Sequence, residues 1–167
     1  MRTVLDAPVT TLDLAEKSFV DKVREHGWFA THVAEEGEHL AFTYTTGFWV
    51  TLERPEILIF SLKRETAYKV LSDLFHDLKS GIRHPVGLAN SNIFGNSTTF
   101  LFPIAKKKYA NYLGWSRWFY GGDNFSCLQL VWPDPAGMFP WQVGFDEHFR
   151  ASQPDLTEQG WTAALAQ

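Results

Sequence analysis

The stretch RPEILIFSLKRETAYKVLSDLFHDL, residues 54–78, decides the fold. Arg54-Pro55-Glu56 leads into Ile57-Leu58-Ile59-Phe60, a short unbroken apolar run. Without polar alternation, such a run reads as a central strand covered on both faces. After it the period changes. Ala67, Val70, Leu71, Leu74, Phe75 and Leu78 recur at helical spacing, which predicts a helix over 64–79 with one apolar stripe. Gly81 closes that helix. A buried strand next to a one-sided helix predicts a helix packed on a sheet.

Working outward, Asp13 and Glu16 resemble a capping box, so a first helix is expected from about Leu14 to His26, with Gly27 past its end. Trp28–Val33 and His39–Thr45 are rich in aromatic and β-branched residues, and the polar segment 34–38 between them predicts a hairpin. Leu40, Phe42 and Tyr44 would share one face of its second strand. Downstream, residues 82–96 hold Pro85, Gly87, Gly95 and three Asn, and read as a long loop. A strand is expected over Ser97–Phe102. Pro103 then opens a third helix carrying Tyr109, Tyr112, Leu113 and Phe119, and Gly121-Gly122 ends it. Phe125–Trp132 reads as the last strong strand, followed by weak helical potential near 157–165. The order α-β-β-β-α-β-α-β has no regular βαβ alternation. The expected class is α+β: a mixed or antiparallel sheet with about three packed helices. No boundary or repeat divides the chain, so 1–167 is expected to form one domain, with its core over about 12–154 and a polar tail over 146–167.

Composition narrows the function classes. A net charge of −4, with Lys106-Lys107-Lys108 as the only basic run, argues against nucleic acid as a partner. No apolar stretch approaches a membrane span. The first residues lack the apolar segment of a signal peptide, and the single Cys127 excludes an intrachain disulfide, so a cytosolic protein is expected. The chain is rich in aromatic residues, with 14 Phe and 7 Trp, enough to build both a thick core and an aromatic groove.

At the last strand one block stands out: Gln129-Leu130-Val131-Trp132-Pro133-Asp134, then Gly137, then Phe139-Pro140-Trp141. With His26-Gly27-Trp28, Tyr44-Thr45-Thr46-Gly47, Pro55-Glu56, Gly114-Trp115 and Gln153-Pro154, it resembles the signature of a bacterial family known as domain of unknown function 4262. The resemblance spans about residues 26–154 and implies a small single bacterial domain without supplying an activity. Members usually carry valine where Thr46 stands, and the segment after Gly47 is shortened here.

The same block is the best site candidate. Two indoles and a carboxylate near one strand end are what a small-ligand or peptide pocket uses. The expected ligand- or partner-binding residues are Trp132, Asp134, Trp141, Trp115, Tyr44 and Gln129. Strand alternation sets Gln129 on the face opposite Trp132. The competing reading is a structural corner in which Asp134 caps the turn and the Trp rings seal the core. Among the histidines, His84 lies in the long loop before Pro85, and His26 closes the first helix. His32 and His39 are a conceivable hairpin pair, but no metal-ligand spacing is present, so no metal and no cofactor are expected. Cys127 alternates with Phe125 and Gln129 and reads as buried and inert. Two functions remain open. One is a binding or interaction module, regulatory or immunity-like, for a small molecule or a protein partner. The other is a small enzyme pairing Asp134 with His84 or His26 for acid–base work.

Overall fold

The computed structural model describes every residue except Met1, Asn96 and Gln167. Helix α1 (Leu14–His26) begins where predicted. Asp13 accepts the amide of Glu16 at 2.8 Å, and Glu16 accepts the amide of Asp13 at 2.9 Å. Gly27, at φ 87°, turns the chain sharply into β1 (Phe29–Val33). Only Phe19, Val20 and Val23 of α1 are buried; its first turn stays in solvent. The hairpin closes with β2 (Phe42–Thr46), which pairs with β1 in the register Thr31↔Tyr44 and His32↔Thr43. A short helix α2 (Phe48–Leu52) then precedes β3 (Glu56–Phe60), and α3 (Arg64–Lys79) follows.

The segment predicted as a loop contains a further strand. β4 (Asn90–Phe94) pairs antiparallel with β5 (Ser97–Pro103); Asn96, between them, lies outside the described residues. The predicted third helix is divided into a 3-10 turn, α4 (Tyr109–Tyr112) and α5 (Gly114–Tyr120). β6 (Cys127–Val131) and a terminal turn of helix, α6 (Trp161–Ala164), complete an α+β fold.

Among the described residues the sheet has six strands in the order β1-β2-β3-β6-β5-β4. Every neighbouring pair is antiparallel except β3 with β6, which run parallel with Glu56 beside Cys127. β3 and β6, the two central strands, are buried along their whole length, as the apolar run of β3 demands. On one face Ile57, Ile59, Leu128 and Leu130 meet the α3 stripe of Val70, Leu71, Leu74 and Phe75. Each fully buried side chain of that size is worth about 1.5–3 kcal/mol. On the other face Phe42, Tyr44, Leu58 and Phe60 meet Phe19 and Val23 of α1 and Leu113, Phe119 and Tyr120 from α4–α5 and their junction. A smaller cluster of Phe102, Val131, Phe139 and Trp161 closes the β5 side.

Candidate functional site

The corner after β6 is built from inside the fold. Gln153 clasps Trp132, its Oε1 accepting the Trp132 amide at 3.0 Å and its Nε2 donating to the Trp132 carbonyl at 2.9 Å. The indole Nε1 of Trp132 donates to the carbonyl of Phe60 at 3.0 Å. Asp134 is only 4% exposed. Its Oδ1 accepts the amides of Ala136 and Met138, and its Oδ2 accepts the amide of Asp146. Burial works to raise this carboxyl, but the amides of Asp146, Met138 and Ala136 outweigh it and hold it below the usual carboxylate range.

The other residues expected at one site are dispersed. Trp141 packs edge-on against Phe100 and Phe102 and stacks on Phe139. Trp115 lies on the opposite sheet face from Trp132, stacked on Phe19 at 5.0 Å, and its amide donates to Tyr44 Oη at 3.0 Å. Gln129 donates to the carbonyl of Pro154 at 2.8 Å. The fold thus joins Trp115 to Tyr44 and separates both from Trp132 and Trp141. Neither candidate histidine has Asp134 as partner. His84 Nε2 lies 3.3 Å from Asp77 Oδ2, and His26 Nε2 lies 3.7 Å from Glu25. His32 faces Thr43 rather than His39, with Nδ1 2.7 Å from Thr43 Oγ1. Among the described residues no three His, Cys, Asp or Glu side chains gather as a metal would require. Cys127 is buried, and burial, with Glu56 adding to it, pushes its thiol well up.

A buried carboxylate organises the other end of β3. Glu56 is fully buried and accepts five hydrogen bonds: from Thr45 Oγ1, from the amides of Gly47, Phe48 and Trp49, and from Tyr120 Oη. It caps α2 from across the sheet end. Burial raises its carboxyl above the ordinary value, against the pull of Tyr120, Thr45 and the amides. No solvent reaches it, so it organises the backbone around it and offers nothing to a ligand.

The cleft with recognition chemistry opens at the outer edge of β1, where it meets the first turns of α3, and has a volume of about 470 Å³. Gly27 reverses the chain so that Lys22 and His26 of α1 come beside β1. Its wall is aromatic. The buried Trp28 stacks on Tyr68 at 5.5 Å and on Phe75 at 5.9 Å, while Tyr68 itself is 54% exposed. Its polar groups are largely cationic or imidazole. Lys22, His26, His32 and Arg64 line it, with Glu65 as the one carboxylate. Lys22 and Arg64 have no carboxylate partner among the described residues. Thr43 fixes the His32 ring. Sequence reasoning missed this site because its residues come from α1, β1, β2 and α3 with no shared spacing. The one local signal was His26-Gly27-Trp28, where a helix end delivers an indole directly into a strand.

These features define a class: an α+β domain whose mixed sheet keeps one edge strand open beside a cationic, aromatic-walled cleft. A family model described as Domain of unknown function (DUF4262) matches residues 22–146, and the chain belongs to that family. The matched span includes Lys22, Trp28, His32, Arg64 and Tyr68 as well as the corner at Asp134. No curated protein and no solved structure matches the chain. Among the described residues no helix is long and apolar enough to cross a membrane.

Proposed function

We propose that this domain is a binding module that takes a small organic anion with a flat apolar body in the cleft between α1, β1 and α3. The observation that carries the reading is the convergence of two unpaired cations, Lys22 and Arg64, on a cleft walled by stacked Trp28 and Tyr68. The cleft volume falls in the range of small-molecule sites, roughly 300–1,000 Å³. An apolar body would lie against the aromatic wall, and an acidic group would meet Arg64 and Lys22. The aromatic groove expected from the sequence moves, on this reading, from Trp132 and Trp141 to Trp28. On this reading the protein works in the bacterial cytosol in a regulatory role, with its single thiol buried away from the cleft. The rival enzyme reading needs Asp134 beside an imidazole, and its oxygens are held instead by three backbone amides.

The test is calorimetric titration with indole-3-acetate, alongside its uncharged amide. The acid should bind saturably, the amide far more weakly, and Arg64→Gln should weaken the acid by about tenfold, as for loss of one charge-assisted contact. Tyr68→Ala, at an exposed ring, should weaken both compounds. Absence of saturable binding, or equal binding by Arg64→Gln and the parent protein, would remove the proposal.

A further inference from the structure

We infer that a second cleft, at the opposite end of α3, binds a short-chain monocarboxylate. It lies between the C-terminal half of α3, the sheet and the loop that follows the helix, and holds about 240 Å³. Its floor is aliphatic, including Ile57 and Leu128 from the sheet and Leu78 from the helix. Its rim is basic: Arg54, Arg83 and His84. An aliphatic floor under a cationic rim suits a ligand with one apolar body and one anionic end.

The rim cations have unused donors. Among the described residues Arg54 gives one hydrogen bond, to the carbonyl of Glu53 at 3.2 Å, and Arg83 gives one, to the carbonyl of Ile82 at 3.4 Å. Neither guanidinium has a carboxylate partner among the described residues. The Nε–H of Arg54 is buried without an acceptor among the described residues. A buried donor left unpaired is costly, and a cationic one more so. An acceptor entering the cleft would relieve that cost. Asp77, the nearby carboxylate that could compete, is engaged by His84 at 3.3 Å, and the His84 side chain is only 6% exposed. This pairing fixes the imidazole as part of the rim and gives the long loop its anchor on α3.

Size and shape select the ligand. A volume of about 240 Å³ lies just below the roughly 300–1,000 Å³ of drug-sized sites, so the cleft suits a short ligand. Hexanoate is such a ligand. A carboxylate matches the planar donor fork of a guanidinium, whereas an alcohol of equal length offers no charge to it. The inference does not rest on the first cleft, because no residue lines both.

The experiment is a methyl-resolved NMR titration of the full chain with sodium hexanoate, and with 1-hexanol as the uncharged control. Hexanoate should give saturable shifts at the methyl groups of Ile57, Leu78 and Leu128 while the Trp28 indole signal stays in place. Arg83→Gln, on an exposed loop residue, should weaken hexanoate by about tenfold, with hexanol unaffected. Arg54→Gln should act likewise. Should it fail to fold, Arg54→Lys, which keeps the charge and removes the fork, takes its place with a smaller loss. Shifts that never saturate, equal affinity for acid and alcohol, or hexanoate affinity unchanged by Arg83→Gln would each overturn the inference, the second reducing the cleft to a plain apolar cavity.

Discussion

Tyr120 Oη lies 2.5 Å from Glu56 Oε2, and this hydroxyl ties α5 to the start of β3 from within the core. Because each carboxylate oxygen of Glu56 accepts at least one backbone amide, from Phe48 on Oε1 and from Gly47 and Trp49 on Oε2, Glu56→Gln would turn its NH₂ against a backbone N–H in either orientation. A loss of about 3 kcal/mol or more is expected in urea unfolding. Tyr120→Phe removes one donor and leaves the others, so a smaller loss of about 1–2 kcal/mol is expected. Equal stability of Glu56→Gln and the parent protein would show that the carboxylate does not hold α2 in place.

Asp134 gives the molecule an acid-sensitive corner. Its folded-state titration lies below the unfolded value of about 3.9. Its contribution is therefore present above that value and lost as pH falls through the lower, folded one. Glu56 acts in the reverse sense: its raised carboxyl contributes most below the ordinary value and less as pH rises. Asp134→Asn should be destabilised near neutral pH, because the Asn amide would face the N–H of either Asp146 or the Ala136–Met138 turn. It should also lose less stability than the parent protein as the medium is acidified below about pH 4. Parallel pH–stability curves for the two proteins would contradict this.

The α3 stripe should behave as a sealed interface. Leu71 is 0% exposed and Leu74 2%. Each leucine-to-alanine change is expected to cost about 2–5 kcal/mol, read from chemical denaturation. A cost below about 1 kcal/mol at both positions would mean the helix does not carry this face of the sheet.

Gly47 sets the start of α2 against the turn that feeds the first cleft. Its φ is +124°, and a Cβ there would meet the Gly27 carbonyl oxygen and lie 2.6 Å from Trp28 Cα. Gly47→Ala should lower stability by at least about 2 kcal/mol. It should also displace the Trp28 indole signal in NMR spectra, a readout that a uniform loss of stability would not produce.

Much of the fold was legible because it rests on local pattern. Ile57–Phe60 and the stripe from Ala67 to Leu78 declare a buried strand and a one-sided helix by period alone, and Asp13 with Glu16 marks a helix start by chemistry. What escaped the sequence depends on distant partners. Asn90–Phe94 is polar and Asn-rich, and becomes a strand only because Ser97–Pro103 pairs with it. Phe48–Leu52 carries no helix signal of its own, and is helical because Glu56, beyond its end, supplies the acceptors for the amides of Gly47, Phe48 and Trp49. In the Gln129–Trp141 block, Pro133 and Asp134 signal that the strand stops in a turn, but the partners that hold Trp132 and Asp134, Gln153 and the amide of Asp146, come from 21 and 12 residues further along the chain. The cleft at Lys22, Trp28, His32 and Arg64 has no sequence period at all.

The parallel pair of β3 and β6 also sets the order in which the molecule can be completed. The first three strands form a meander from neighbouring segments, and β4 with β5 form a hairpin of their own. β6 fits between these halves, and it emerges only after both have been made. A ribosome-bound chain that has not yet released Val131 therefore carries two half-sheets, each with an inner edge ready to pair. Such edges recruit other strands, so the interval before β6 is inserted is one in which this fold is exposed to aggregation. Refolding speed should be governed by insertion of that one late strand.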